Sequence, residues 1–208
     1  MSFEQYISYT MVITILLLSP GPSVLLSINN GLKYGRKLSA LGVLGNVFAF
    51  QILIIISATG LSAVIVAFDE LLLVIKTIGA LYLCYLGFKI YVSSASQADS
   101  NVAQTNLAHQ PWKIFKQAFL ITLLNPKALI FVSALLPQFI NPVLELTPQV
   151  NALCFITALI HFSIYFGYAM LAARAKPMIN KGKNQDRFNK ISGITFLIFG
   201  LTLGISAI

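Results

Sequence analysis

The chain has 208 residues, of which 57% are hydrophobic and only 10% are charged, and its mean hydropathy is +0.83. Because an average soluble domain carries about 25% charged residues, this composition excludes a water-soluble domain and indicates a polytopic membrane protein. The net charge of +8 does not indicate a nucleic-acid-binding protein, because the basic residues form short clusters between apolar runs, as topology signals and contacts with lipid headgroups require.

The N-terminal stretch MSFEQYISY contains an acidic residue and lacks a basic region, which predicts that no signal peptide is cleaved. After it come six apolar segments long enough to cross a bilayer, a crossing that takes about 20 residues. The segments are residues 5–29, 38–68, 71–92, 115–140, 149–173 and 188–208. The predicted fold class is therefore an all-α integral membrane protein with six transmembrane helices.

The basic residues indicate how these spans are oriented. All lysines and arginines except Lys76 and Lys127 lie in or beside the loops between spans 1 and 2, 3 and 4, and 5 and 6. The positive-inside rule places these loops in the cytoplasm, so both termini are predicted on the outer side of the plasma membrane.

The longest loop divides the chain into two halves. Residues 93–110 are polar and rich in small side chains, which is typical of a flexible linker. We predict one transporter domain over residues 1–208, with halves at about 1–92 and 115–208 joined by a linker at about 93–114. Since each half has three spans, an odd number, a repeat of this unit must be inverted in the membrane.

Proline motifs interrupt the first span of each half. SPGPS covers residues 19–23 in span 1, and NPKA covers residues 125–128 in span 4. At a rise of 1.5 Å per residue, both motifs fall near the middle of the bilayer. Matching interruptions of this kind predict a transporter binding site; kinks that only shape the helix bundle are the alternative.

Each motif resembles the start of a helix. Ser19 suits an N-cap, Pro20 suits the first helical position, and Gly21 permits a close approach of the backbone, while Asn125 and Pro126 repeat the capping pattern. Because a helix N-terminus attracts anions, two such ends in mid-membrane predict a site for a carboxylate.

Lys127 adds a costly charge to the second motif. A lysine deep in a span is usually functional, and a cation at a helix start opposes the helix dipole. A substrate carboxylate would offset this cost; the alternative is a lysine that extends towards the cytoplasm.

Few other polar side chains lie inside the spans. His161 and Tyr165 are four residues apart and share one helix face. His161 is the only in-span side chain that ordinarily titrates near neutral pH, so it is a candidate for proton coupling, although a lone histidine is also common in packing roles. The residues predicted to bind substrate are Ser19, Pro20, Gly21, Pro22, Asn46, Gln51, Asn125, Pro126, Lys127 and Tyr165.

No catalytic residues, metal ligands or cofactor motifs are predicted. The spans contain no carboxylate, which removes the acid that hydrolytic sites need, so the chain is not expected to be an enzyme. Cys84 and Cys154 leave a thiol–disulfide electron carrier as an alternative, which a fully active variant with serine at both positions would exclude. A passive channel is a further alternative, distinguished by flux that does not saturate.

Gly200 and Gly204 form a GxxxG motif that suits helix packing within the chain or in a homodimer.

Five stretches, in order and with matching spacing, resemble the LysE/RhtB family of amino-acid exporters. They are LSPGPSVL (18–25), IGALYLCYLGFKIY (78–91), FLITLLNPKALIFVSALLPQFI (119–140), FGYAMLAARA (166–175) and RFNKISGITFLIFG (187–200). The resemblance implies an inner-membrane exporter of amino acids or their derivatives, either threonine-, homoserine- or leucine-like or basic, driven by proton antiport. It also implies that six residues belong to the motif positions of the family: Pro20, Gly21, Pro22, Asn125, Pro126 and Lys127.

Overall fold

The computed structural model describes residues 3–60, 69–92, 111–141, 143–179 and 183–205. Within these ranges the regular elements are helices, and no strand occurs. The α-helices are α1 (Phe3–Leu18), α2 (Pro22–Ala58), α3 (Asp69–Val92), α4 (Pro111–Leu123), α5 (Pro126–Leu135), α6 (Leu146–Ile179) and α7 (Lys183–Ile205), with a 3-10 helix at Leu136–Phe139 after α5. This agrees with the predicted all-α class.

Helix α2 folds back on itself at a single residue. Gly35 has φ 72° and ψ −170°, a conformation that side-chain-bearing residues rarely adopt, and it divides α2 into arms 22–34 and 36–58. Asn46 donates a hydrogen bond to Ser27 over 3.1 Å although the two lie 19 positions apart. A straight helix would separate them by about 28 Å, so the two arms must run side by side in opposite directions.

This reversal corrects the predicted loop between spans 1 and 2. The basic residues Lys33, Arg36 and Lys37, which were expected in a loop, belong to helical turns on either side of Gly35. A glycine with positive φ reverses the chain within one residue, so no longer connection is required.

Other helix ends also extend past the predicted spans. Helix α4 begins at Pro111 instead of residue 115, α6 continues to Ile179, and α7 begins at Lys183. Hydropathy locates the apolar part of a helix, and polar turns can continue it beyond that part. The predicted linker residues 93–110 lie outside the described ranges.

Two clusters of buried side chains hold the helices together. The first joins α1, α2, α5 and α6 and includes Tyr9, Phe50 and Leu153. The second joins α2, α3, α4 and α7 and includes Leu26 and Phe196. Both arms of α2 therefore lie at the centre of the bundle, which places the start of α2 close to α4, α5 and α6.

The GxxxG motif packs within the chain. A Cβ atom on Gly200 would collide with the sulfur of Cys84 on α3, and one on Gly204 would lie 3.7 Å from the Cβ atom of Ala80. The small residues thus allow α7 to approach α3 closely, which agrees with packing inside the chain, one of the two uses left open by the sequence.

Three of the described helices are long and apolar enough to cross a membrane: α2, the part of α6 from Leu146 to Pro177, and the part of α7 from Asp186 to Ile205. Shorter apolar helices occur at Phe3–Leu18 and Thr77–Val92. Large apolar side chains are exposed on the outer faces of these helices, such as Ile15 on α1 and Phe155 and Leu171 on α6, as expected of surfaces in contact with lipid.

We expect Gly31→Ala to destabilise the protein. A Cβ atom at Gly31 would collide with the carbonyl oxygen of Ala169 on α6, and overpacking of this kind costs about 1–3 kcal/mol of unfolding free energy. Gly167 on α6 is the matched control, because a Cβ atom there meets nothing within 4 Å. Gly167→Ala should raise the unfolding free energy by up to about 1 kcal/mol through helix propensity. Denaturant unfolding in detergent measures both; equal effects of the two changes would contradict the close packing.

Candidate functional site

The first proline motif lies between α1 and α2. Helix α1 ends at Leu18, and the amide of Ser19 donates to the carbonyl of Ile15 over 3.1 Å, which closes the last turn. Helix α2 begins at Pro22, with Gly21 as N-cap in an extended conformation at φ −165° and ψ −178°. The predicted N-cap Ser19 and first residue Pro20 are therefore wrong by two positions.

The physical reason lies in the repeated prolines of the motif. Either proline suits the first helical position, so the sequence permits a start at Pro20 or at Pro22. In the folded chain, the amide of Ser19 is already bonded to α1, and Pro20 is exposed between the two helices. The start at Pro22 leaves room for this bond.

The second proline motif has the predicted cap. Helix α5 begins at Pro126, and the side-chain oxygen of Asn125 accepts a hydrogen bond from the amide of Lys127 over 3.1 Å. The amide of Asn125 in turn donates to the carbonyl of Thr122 over 3.2 Å at the end of α4. The helix start predicted from Asn125 and Pro126 is confirmed.

Lys127 reaches from α5 to the end of α1. Its Nζ atom donates to the carbonyl oxygens of Leu16 and Ser19, each over 2.9 Å. The hydroxyl of Tyr168 on α6 donates to the carbonyl of Leu18 over 3.0 Å. Because the last carbonyls of a helix are negative and lack helical partners, these bonds offset the cost of Lys127 with groups of the chain itself.

A buried polar network joins the two motifs. Asn125 Nδ2 donates to Ser23 Oγ over 3.4 Å, and Ser23 and Thr122 share a hydroxyl–hydroxyl bond of 3.0 Å. Thr122 donates to Asn46 Oδ1 over 2.9 Å, and Asn46 donates to Ser27. All five side chains are buried, so the network fixes the start of α2 against the end of α4.

A cavity opens beside this network. Its enclosed part has a volume of about 20 Å³, which is room for about one water molecule, and the space around this part is open to the outside. The lining residues come from α1, α2, α4, α5 and α6. They are Leu16, Leu17, Ser19, Gly21, Ser23, Phe50, Thr122, Asn125, Lys127, Ala128 and Tyr165.

The structure brings together part of the predicted binding set. Ser19, Gly21, Asn125, Lys127 and Tyr165 line the cavity. Four of the others lie outside the lining: Pro20 is exposed, Pro22 is buried at the start of α2, Asn46 belongs to the network behind the cavity, and Gln51 is half-buried with its amide lacking a partner among the described residues. Pro126 is the first residue of α5.

Sequence reasoning included Ser23 only as the last residue of the SPGPS motif, and it missed Thr122, Phe50 and Tyr168. Phe50 and Tyr168 gave no local signal, since aromatic residues are common in apolar spans and their contacts depend on tertiary packing.

His161 lies directly behind the cavity wall. Its side chain is 0% exposed, and its ring packs edge-to-face against Tyr165 at 4.2 Å and against Phe50 at 5.4 Å between ring centroids. The predicted shared face of His161 and Tyr165 is confirmed. Neither ring nitrogen has a hydrogen-bond partner in the described part of the chain, an arrangement that is costly unless another polar group reaches it in some state.

The structure also describes the residues that metal or thiol chemistry would use. Among the described residues no group of three or more His, Cys, Asp or Glu side chains could hold a metal ion. Cys84 on α3 and Cys154 on α6 are both free thiols. Neither cysteine is among the residues that line the cavity.

We expect Asn46→Ala to destabilise the protein. Asn46 is 0% exposed and bonds both Thr122 and Ser27, and leaving such partners unsatisfied costs about 1–3 kcal/mol. Asn151 is exposed on α6, so Asn151→Ala should change the unfolding free energy by less than about 0.5 kcal/mol. Denaturant unfolding of both variants tests this. If Asn46→Ala matched the control, the network would not contribute to stability.

These features define a helical membrane protein with a polar cavity where four helix ends meet. The chain belongs to the family of LysE type translocators, whose family model matches residues 14–207. It is therefore a multi-pass membrane protein of a transporter family, as the resemblance of its motifs implied.

Individual relatives cover three quarters of the chain or more. An uncharacterized membrane protein of Vibrio cholerae is 31% identical over 98% of each chain. A homoserine/homoserine lactone efflux protein of Salmonella typhi is 30% identical over 98% of this chain and 97% of its own. A leucine efflux protein of Klebsiella pneumoniae is 27% identical over 75% of this chain and 77% of its own. No solved structure matches the chain.

Proposed function

We propose that this protein exports amino acids or their derivatives from the cytoplasm across the inner membrane. The observation that carries the proposal is the meeting of two helix N-termini and the Lys127 ammonium group at one cavity. The efflux proteins for homoserine and leucine among its relatives support the same class of substrate.

The substrate carboxylate would bind between the starts of α2 and α5. Gly21, Ser23 and Asn125 line the cavity at these starts, and amide groups at a helix N-terminus favour an anion. Lys127 adds a full positive charge next to them. A carboxylate entering here would compete with the carbonyls of Leu16 and Ser19 for the Lys127 ammonium, so binding would loosen the contact between α5 and α1.

The membrane architecture that we propose has six spans in two inverted repeats. Spans 1 and 4 would each consist of two helices joined at a proline motif: α1 with arm 22–34, and α4 with α5. Arm 36–58, α3, α6 and α7 would be the remaining spans. Two contacts support the inverted repeat. Ser23 at the start of α2 bonds Thr122 near the end of α4, and Lys127 at the start of α5 bonds the end of α1. The helix that begins after the proline motif in each half therefore contacts the helix that ends before the motif in the other half.

The orientation follows from charge. We propose that the basic residues around Gly35, at the end of α6 and at the start of α7 face the cytoplasm, with both termini outside. Membrane lipids would contact the exposed apolar faces. Any homodimer would form through a surface other than Gly200, because α3 covers that glycine.

We further propose that alternating access moves one half against the other around this cavity, driven by proton antiport. His161 is the candidate coupling residue, because it is a buried titratable side chain that contacts two residues of the cavity wall, Phe50 and Tyr165.

The experiment is transport in proteoliposomes that contain the purified full chain. Vesicles are loaded in turn with labelled homoserine, threonine, leucine, lysine and arginine, and an inward proton gradient is imposed. Saturable, gradient-dependent efflux of at least one compound is the expected result. No flux across the panel would refute amino-acid export, and flux that does not saturate would indicate a channel instead.

A further inference from the structure

Among the described residues that line the cavity, one side chain is formally charged, and it is positive. This residue is Lys127, and no Arg, Asp or Glu occurs in the same described lining. The described acidic residues lie elsewhere. Glu4 is in the first turn of α1, Asp69 and Glu70 begin α3, Glu145 is exposed before α6, and Asp186 pairs with Lys190 over 3.0 Å at the start of α7.

The helix ends at the cavity add to this positive charge. The starts of α2 and α5 both present the positive end of a helix dipole. The negative end of α1 is already occupied, because Lys127 bonds the carbonyls of Leu16 and Ser19 and Tyr168 bonds that of Leu18. A cation that enters the cavity therefore finds no free anionic partner in its described lining.

Away from the polar residues at the helix ends, the described lining is apolar or aromatic. Leu16, Leu17 and Ala128 form aliphatic wall, and Phe50 and Tyr165 present rings. The α-ammonium group of an amino acid enters together with its own carboxylate, so the pair is neutral, and an aromatic face can stabilise the ammonium group. A second ammonium group in the side chain would add an uncompensated charge near Lys127.

We propose that this site selects amino acids whose side chain is uncharged and rejects those with a cationic side chain. The proposal rests on the proposed function and narrows its substrate class. Discrimination by repulsion needs no additional contact with the favoured substrate, because an unpaired like charge alone disfavours the competitor. Lys127 is then the residue that determines specificity.

The sharpest test compares L-homoserine with L-2,4-diaminobutyrate, which differ only in a hydroxyl or an ammonium group at the same position. Equilibrium binding of each compound to the detergent-solubilised full chain is measured by competition with labelled homoserine. We expect homoserine to bind at least about tenfold more tightly, since two like charges about 6 Å apart repel by more than the free energy of one decade at the effective dielectric of about 20 that applies to protein sites. Equal binding of the two compounds overturns the proposal.

Two variants test whether Lys127 causes the difference in affinity between homoserine and diaminobutyrate. Lys127→Gln should weaken homoserine binding and reduce its advantage over diaminobutyrate by about tenfold. Lys116→Gln removes the same charge from an exposed position on α4 and should leave the advantage unchanged. An unchanged advantage in Lys127→Gln overturns the role of Lys127. Labelled diaminobutyrate is also added to the transport panel. If it and homoserine gave flux at equal rates, this inference alone would fail; no flux of any amino acid would refute the proposed function itself.

Discussion

Replacing Lys127 with methionine should reduce amino-acid export by about 100-fold. The change removes two charge-assisted hydrogen bonds, to the carbonyls of Leu16 and Ser19, and the positive charge proposed to bind the substrate carboxylate. A hydrogen bond from the Lys127 ammonium to the substrate carboxylate would contribute about 1.5–3 kcal/mol, and about 1.4 kcal/mol corresponds to tenfold in an equilibrium constant, so the loss of this bond accounts for the expected decrease in export. Methionine retains most of the length of the side chain, so the packing along α5 is largely preserved.

Initial efflux rates from proteoliposomes measure this effect, and denaturant unfolding measures stability in parallel. Stability should fall as well, because the end of α1 loses its cap, so rates are compared at equal amounts of folded protein. Lys116→Met is the matched control and should transport at the rate of the unchanged chain. Full export by Lys127→Met would remove Lys127 from the substrate site.

Lys127→Arg separates charge from geometry. Arginine keeps the positive charge, but its planar guanidinium group is longer and cannot occupy the compact position of an ammonium between two carbonyls. A carboxylate-binding role predicts partial export by this variant, above that of methionine. If the two variants were equally inactive, the bond to α1 rather than the charge would be the essential feature.

The sequence predicted the parts of the fold that local pattern determines. Apolar segments became helices, and Asn125 with Pro126 defined a helix start, because a capping side chain followed by a proline has only one suitable register. SPGPS has two prolines and therefore two possible helix starts, at Pro20 and at Pro22. The helix begins at Pro22, while the amide of Ser19 bonds to α1. The reversal at Gly35 lies inside the loop predicted between residues 29 and 38, but that loop was predicted too long because the basic residues around Gly35 belong to helical turns.

The site itself was predicted only in part, for a reason of distance along the chain. Lys127 and Leu16 are 111 positions apart, and Tyr168 and Leu18 are 150 apart. No local pattern encodes which carbonyl a lysine or tyrosine will reach, since these bonds exist only once α1, α5 and α6 have packed. The position of Lys127 within an apolar span indicates that its charge needs a partner. Only the folded structure shows that this partner is the end of α1.

Replacing His161 with leucine should abolish proton-driven accumulation while exchange of substrate across the membrane continues. His161 is fully buried. Its ring contacts the titratable side chain of Tyr165 on the same helix, α6, and the ring of Phe50 on α2. Lys127 on α5 is the charged residue that lines the adjacent cavity. With no anionic partner among these groups, a proton on the imidazole would be an unpaired buried charge in this arrangement.

This burial suits an antiporter, because proton and substrate must exclude each other. A substrate in the cavity would hold Phe50 and Tyr165 closed over His161, and its departure would let these rings move and admit water and a proton. Efflux with and without an imposed pH gradient, together with counterflow at equal pH, separates coupling from binding. His109, the other histidine of the chain, provides the control: His109→Leu should remain fully coupled. Gradient-driven accumulation by His161→Leu at the unchanged rate would assign coupling to another group and leave His161 as a packing residue between Phe50 and Tyr165.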